Sequence, residues 1–155
     1  MSTINPTVQA RTILAIFPHI DKYCERVDQN IRFNAINSYH LPTQDTYEVM
    51  QRIINRTYKA QVLHNLKIKV QKRLALGDEK ITRVIDLYFL QGKKPAQMAI
   101  ELGVSERTVF RSINQAVEWF AGRLESMGVT TYVFNELLRE YAWIRNMYAE
   151  MFLKD

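Results

Sequence analysis

Residues 93–120, KKPAQMAIELGVSERTVFRSINQAVEWF, decide the fold of this chain. Met98, Ala99 and Leu102 make a short apolar stripe on one side of a first helix. Gly103 then offers a left-handed residue without a Cβ clash, Val104 follows, and Ser105 can cap a second helix by accepting a free backbone N–H. Two short helices joined by a tight, Gly-containing turn form the unit that sets its second helix in the major groove of DNA.

On a helix starting at Ser105, the residues Val109, Ile113, Ala116, Val117, Phe120 and Leu124 recur at spacings of three and four and define a buried stripe. The opposite side carries Arg107, Arg111, Asn114 and Glu118. Arg can donate two bonds to O6 and N7 of guanine, and Asn can pair with N6 and N7 of adenine. Glu106 suits the positive helix terminus or could accept from a cytosine amino group. Phe110 lies on the flank, where its ring either touches a thymine methyl or closes the core. The expected base contacts are therefore Glu106, Arg107, Phe110, Arg111 and Asn114. Lys93, Lys94, Gln97 and Ser105, near the two helix starts, are placed for phosphates.

Outward from this stretch the chain reads as all-α. No Gly occurs before position 77, and no Asn-Gly or Asp-Gly hairpin signal occurs at all. The spacing predicts helices over 6–16, 19–39, 43–76, 78–91, 95–102, 105–127 and 131–153. Thr43 and Asp78 are the expected N-caps of the third and fourth. Leu66-Lys67-Ile68-Lys69-Val70 alternates like a strand, yet Val62, Leu66, Val70 and Leu74 recur every four residues and favour helix. Gly77 suggests a division into a helical N-terminal region (1–77), a reader (78–128) and a terminal helical appendage (129–155).

Hydrophobic residues make up 47% of the chain and charged ones 24%, enough apolar surface to build a core. The net charge of +5 is uneven. Residues 51–75 hold Arg52, Arg56, Lys59, Lys67, Lys69, Lys72 and Arg73 with no acidic residue, whereas acidic groups slightly outnumber basic ones in the rest. Such a helix is either a solvated face or an attractor of phosphates, with Lys67, Lys69, Lys72 and Arg73 as its candidates. The lone Cys24 excludes an internal disulfide framework. No apolar run has the length of a membrane span, and the N-terminus lacks a signal-peptide pattern, so a cytoplasmic protein is expected.

The run Ile81-Thr82-Arg83-Val84-Ile85-Asp86-Leu87-Tyr88-Phe89, followed by Ala99-Ile100-Glu101-Leu102-Gly103-Val104-Ser105-Glu106-Arg107-Thr108-Val109-Phe110-Arg111, resembles region 4 of bacterial sigma factors. More narrowly it is similar to the ArpU and RinA type of sigma-like late-gene regulators of phages and prophages. Ile13 to Tyr23 resembles the opening helix of those regulators more faintly. The match spans about residues 78–127 and implies a transcription regulator that binds promoter DNA through Glu106, Arg107, Phe110 and Arg111 and touches RNA polymerase. Two features depart from it: the chain shows no aromatic-rich promoter-melting region, and a long aromatic helix follows the reader.

In that last helix Phe134, Leu137, Tyr141, Ile144, Tyr148 and Met151 form a heptad-like seam. It either packs on the chain's own N-terminal helices or joins copies into a homo-oligomer. His19, His40 and His64 are scattered, and no phosphate loop or nucleophile elbow is present, so neither an enzyme, a metal site nor a cofactor is expected. Two rival readings remain: a phage DNA-packaging subunit of the small-terminase kind, and a protein-interaction module docking RNA polymerase.

Overall fold

Gly103 has φ +67°, the left-handed conformation its position in the turn requires, and Ser105 Oγ accepts from the Thr108 backbone N–H at 3.2 Å. Around this turn the computed structural model describes residues 4–38 and 46–153, all helix, turn or coil with no strand among them. The helices are α1 (Pro6–Ile16), α2 (Ile20–Ser38), α3 (Thr46–Ala75), α4 (Glu79–Ile85), α5 (Pro95–Leu102), α6 (Glu106–Ala121), α7 (Thr131–Glu140) and α8 (Ala142–Phe152). The all-α expectation holds, including helix rather than strand at residues 66–70. Thr43 lies outside the described residues. Asp78 does cap α4, its carboxylate accepting from the Lys80 N–H at 3.3 Å.

Three predicted helices are interrupted. The fourth passes after Ile85 into a π-turn over Asp86–Leu90, closed by Gln91 N–H donating to Asp86 O at 2.8 Å. Gly92, at φ +69°, then ends the segment. The sixth ends at Gly122 and resumes only as a 3-10 turn over Glu125–Met127. The expected single helix 131–153 breaks at Tyr141, whose backbone is extended at φ −122°, ψ 102° while its side chain is buried. No Gly or Pro marks that break.

By contact the chain falls into two compact units, Met1–Pro18 with Val70–Asp155, and His19–Lys69. Gly77 lies inside the first unit. A Cβ there would stand 2.7 Å from Cη2 of Trp119 and 2.8 Å from Cγ2 of Thr82, so the α3–α4 turn needs glycine for space. Trp119 is held in turn by Arg123, whose guanidinium carbon lies 4.7 Å from the indole centroid.

The first unit is built on α1 and α6. Ala10, Ile13, Leu14 and Ile16 of α1 are buried, as are Val109, Ile113, Ala116, Val117 and Phe120 of α6, and the two helices pack together. Helix α8 also packs on α1, and of the aromatic seam Phe134, Leu137, Tyr141 and Ile144 are buried within the chain. The Tyr148 ring meets Phe134 edge-on, with centroids 6.1 Å apart, and lies tilted against Phe152 at 5.5 Å. The seam's first four positions are thus consumed by the chain's own core.

In the second unit α2 and α3 run side by side. Lys67 Nζ bonds the Asp21 carboxylate at 2.5 Å, and Cys24 Sγ donates to Ala60 O at 3.6 Å, contacts that fix an antiparallel pair. Partial burial pushes the Cys24 thiol pKa up, the neighbouring Asp21 charge adds to this, and Lys67 opposes it.

Candidate nucleic-acid interface

Every backbone feature of the α5–turn–α6 unit points the amino end of α6 outward. Gly103 turns the chain, Val104 N–H returns to Ala99 O at 3.1 Å, and Ser105 satisfies one free N–H of α6. Met98 and Val109 are fully buried beneath the turn, clamping α5 against α6. The first two turns of α6 then carry their polar side chains into solvent. Glu106, Arg107, Phe110 and Arg111 are all exposed.

Phe110, at 52% exposed, does not close the core; that role falls to Val109 and Ile113. A half-exposed phenylalanine flanked by Arg107 and Arg111 gives the surface two bidentate donors and one apolar contact within about two helical turns. The combination suits the edge of a base pair, which offers acceptors and a methyl group together.

Asn114 is placed differently. It is exposed, but its Oδ1 accepts from Arg11 Nη2 of α1 at 3.0 Å. It lines, with Arg11 and Glu118, a shallow groove between α1 and α6. Helix α1 thus packs against α6 and engages Asn114, whereas Glu106, Arg107, Phe110 and Arg111 have no such neighbour bonded to them among the described residues. Arg11 is the residue that sequence reasoning missed here. The helix expected over 6–16 carries no sign in its own spacing that it lies against α6.

The phosphate candidates separate into engaged and open groups. Lys93 is ion-paired with Glu101. Gln97 accepts at 3.4 Å from the Lys94 backbone N–H, a long contact, and the Ser105 hydroxyl is spent on its own helix. Arg73 donates to Ser126 Oγ at 3.0 Å and Lys67 is paired with Asp21. Lys69, Lys72 and Lys94 are exposed, with no ion pair among the described residues. Lys72 and Lys94 belong to the same compact unit as α6, Lys69 to the other.

No His/Cys/Asp/Glu group that could hold a metal is present among the described residues, and no helix there is long and apolar enough to cross a membrane. A family model described as ECF sigma factor matches residues 43–126, a stretch that includes all of α3, α4, α5 and α6. No curated protein and no solved structure matches the chain.

Proposed function

The chain belongs to the ECF sigma factor family and is a sigma-like, DNA-binding transcription regulator, and from that premise we propose that the amino-terminal turns of α6 read promoter DNA in the major groove. One observation carries this reading: Arg107, Phe110 and Arg111 stand together in solvent on the first turns of a helix whose opposite face is fully buried. Arg107 and Arg111 supply the bidentate contacts, Phe110 meets a thymine methyl, and Glu106 accepts from a cytosine amino group. Asn114 takes part only if Arg11 releases it. Lys94 and Lys72 serve the phosphates, joined by Lys93 on exchange from Glu101; Lys69, in the other compact unit, is a phosphate candidate by itself. The narrower assignment is a late-gene regulator of the ArpU and RinA type, acting in the cytoplasm. The small-terminase reading gains no observation of its own.

Contact with RNA polymerase is a second reading, and what supports it is the sigma-family match. The outer face of α5, where Ile100 is 83% exposed, is open to such a contact. The two readings are compatible, since α5 and α6 present different surfaces.

Replacing Arg111 with Ala tests the first reading. Affinity for a site selected from random duplexes falls by about 1–3 kcal/mol, with selectivity relaxed at one base position. Unchanged affinity and selectivity would show that another face reads the DNA. Failure to bind any duplex even at low salt, where non-specific binding is strongest, would leave docking to polymerase as the reading.

A further inference from the structure

Helix α1 contains a single charged residue, Arg11, and the fold lays it beside α6 within the same compact unit. Its Nη2 donates to Asn114 Oδ1 at 3.0 Å. Among the described residues Arg11 has no ion pair and no second hydrogen bond, so most of its N–H donors are unengaged. Glu118 lines the same groove without being ion-paired to it. A half-buried guanidinium loses hydration that one bond to a neutral amide offsets only in part. The charge calls for an anion from outside the chain.

The same bond changes what Asn114 can do. Arginine only donates, so the atom that faces it must be Oδ1, and the amide is fixed in that orientation. Pairing with adenine needs Oδ1 and Nδ2 aimed together at one base edge. With Oδ1 drawn towards α1, Asn114 offers the outside a donor, Nδ2, which has no partner among the described residues. Reach leads to the same place. A reading helix meets base edges with its first residues, and Asn114 stands seven residues beyond Arg107, about 10 Å along the axis. The major groove is only about 8.5 Å deep, so Asn114 and Arg11 lie at its rim, where the phosphates run. Glu118, one turn further along α6, repels phosphate and marks the end of the DNA-facing surface.

We propose that Arg11 and Asn114 together hold one phosphate of the DNA backbone, so that α1 supplies part of the DNA interface. The proposal rests on the reading of α6 as the helix that enters the groove. Asn114 acts here without leaving Arg11, whereas a base contact would require its release.

The full chain is titrated over a range of salt concentrations with a duplex carrying the selected site. Arg11→Ala lowers affinity, reduces the log–log salt slope by about 1 and leaves base preference unchanged; Arg11→Lys, which keeps the charge, restores the slope. Phosphates are also replaced one at a time by uncharged methylphosphonate. One replacement weakens the wild type and has no effect on Arg11→Ala, a coupling that loosened packing of α1 would not produce. Arg111→Ala runs beside them. If it relaxes selectivity while Arg11→Ala keeps the full salt slope, the phosphate contact is wrong and the α6 reading stands. If neither variant changes binding, the α6 reading falls and takes this contact with it. Tighter binding by Arg11→Ala overturns the proposal by making Arg11 a brake on Asn114. Preference lost at one adenine position in Asn114→Ala overturns it as well.

Discussion

Helices α6 and α3 each bury one face and expose another, but the exposed faces are chemical opposites. The open turns of α6 offer Glu106, Arg107 and Arg111 around a single aromatic ring. The outer line of α3 offers Tyr47, Met50, Ile54 and Tyr58 with no charge among them. Arg loses little by meeting a polyanion and gains directional bonds to bases, so the first face suits a nucleic acid. An uncharged apolar line gains nothing from phosphates. Net charge alone would have directed α3 to DNA and passed over α6, where two Arg are balanced by two Glu. The arrangement of charge around each helix separates them.

The comparison is broken most severely from beneath. Phe120, fully buried on α6, supports the whole reader unit; Phe120→Ala lowers unfolding free energy by about 3–5 kcal/mol. Phe110→Ala, ten residues earlier, changes stability by no more than about 0.5 kcal/mol while weakening binding to a thymine-containing site. Denaturant titration beside a binding isotherm checks both, and similar stability losses in the two variants would mean that Phe110 is core. Next in size is Gly77→Ala. Its new methyl must displace Trp119 or Thr82, at a cost of about 1–3 kcal/mol in the same titration. A neutral result there would mean that the indole moves freely. Smallest is Lys72→Ala, which leaves stability unaltered, weakens DNA binding evenly across sequences, and reduces the salt slope by about 1. A loss confined to one sequence would make Lys72 a base-reading residue instead.

The parts legible in the sequence were those with local chemistry. Gly103 and Ser105 fix the turn by backbone conformation and capping, so the 95–102 helix has the expected bounds and α6 starts within a residue of the expected 105, although it ends at Ala121 rather than at 127. The buried stripe of α6 followed from its 3.6-residue period. What was not legible depended on residues distant along the chain. The pairing of Arg11 with Asn114 spans 103 positions, and the pairing of Lys67 with Asp21 spans 46. Neither has any signature in either segment alone. The break at Tyr141 has no breaker residue, and the π-turn at Asp86–Leu90 has no composition of its own. The outer line of α3 was hidden for a different reason, since a census by segment counts seven positive charges without saying which side they occupy.

The most direct test of the contrast places a photo-reactive amino acid at position 110 in one protein and at position 54 in another. Each is irradiated with duplex DNA carrying a selected site. The variant at 110 cross-links to DNA, at bases rather than only at the backbone, and the variant at 54 forms no DNA adduct. DNA adducts from position 54 with none from position 110 would contradict the assignment of α6 as the reading helix.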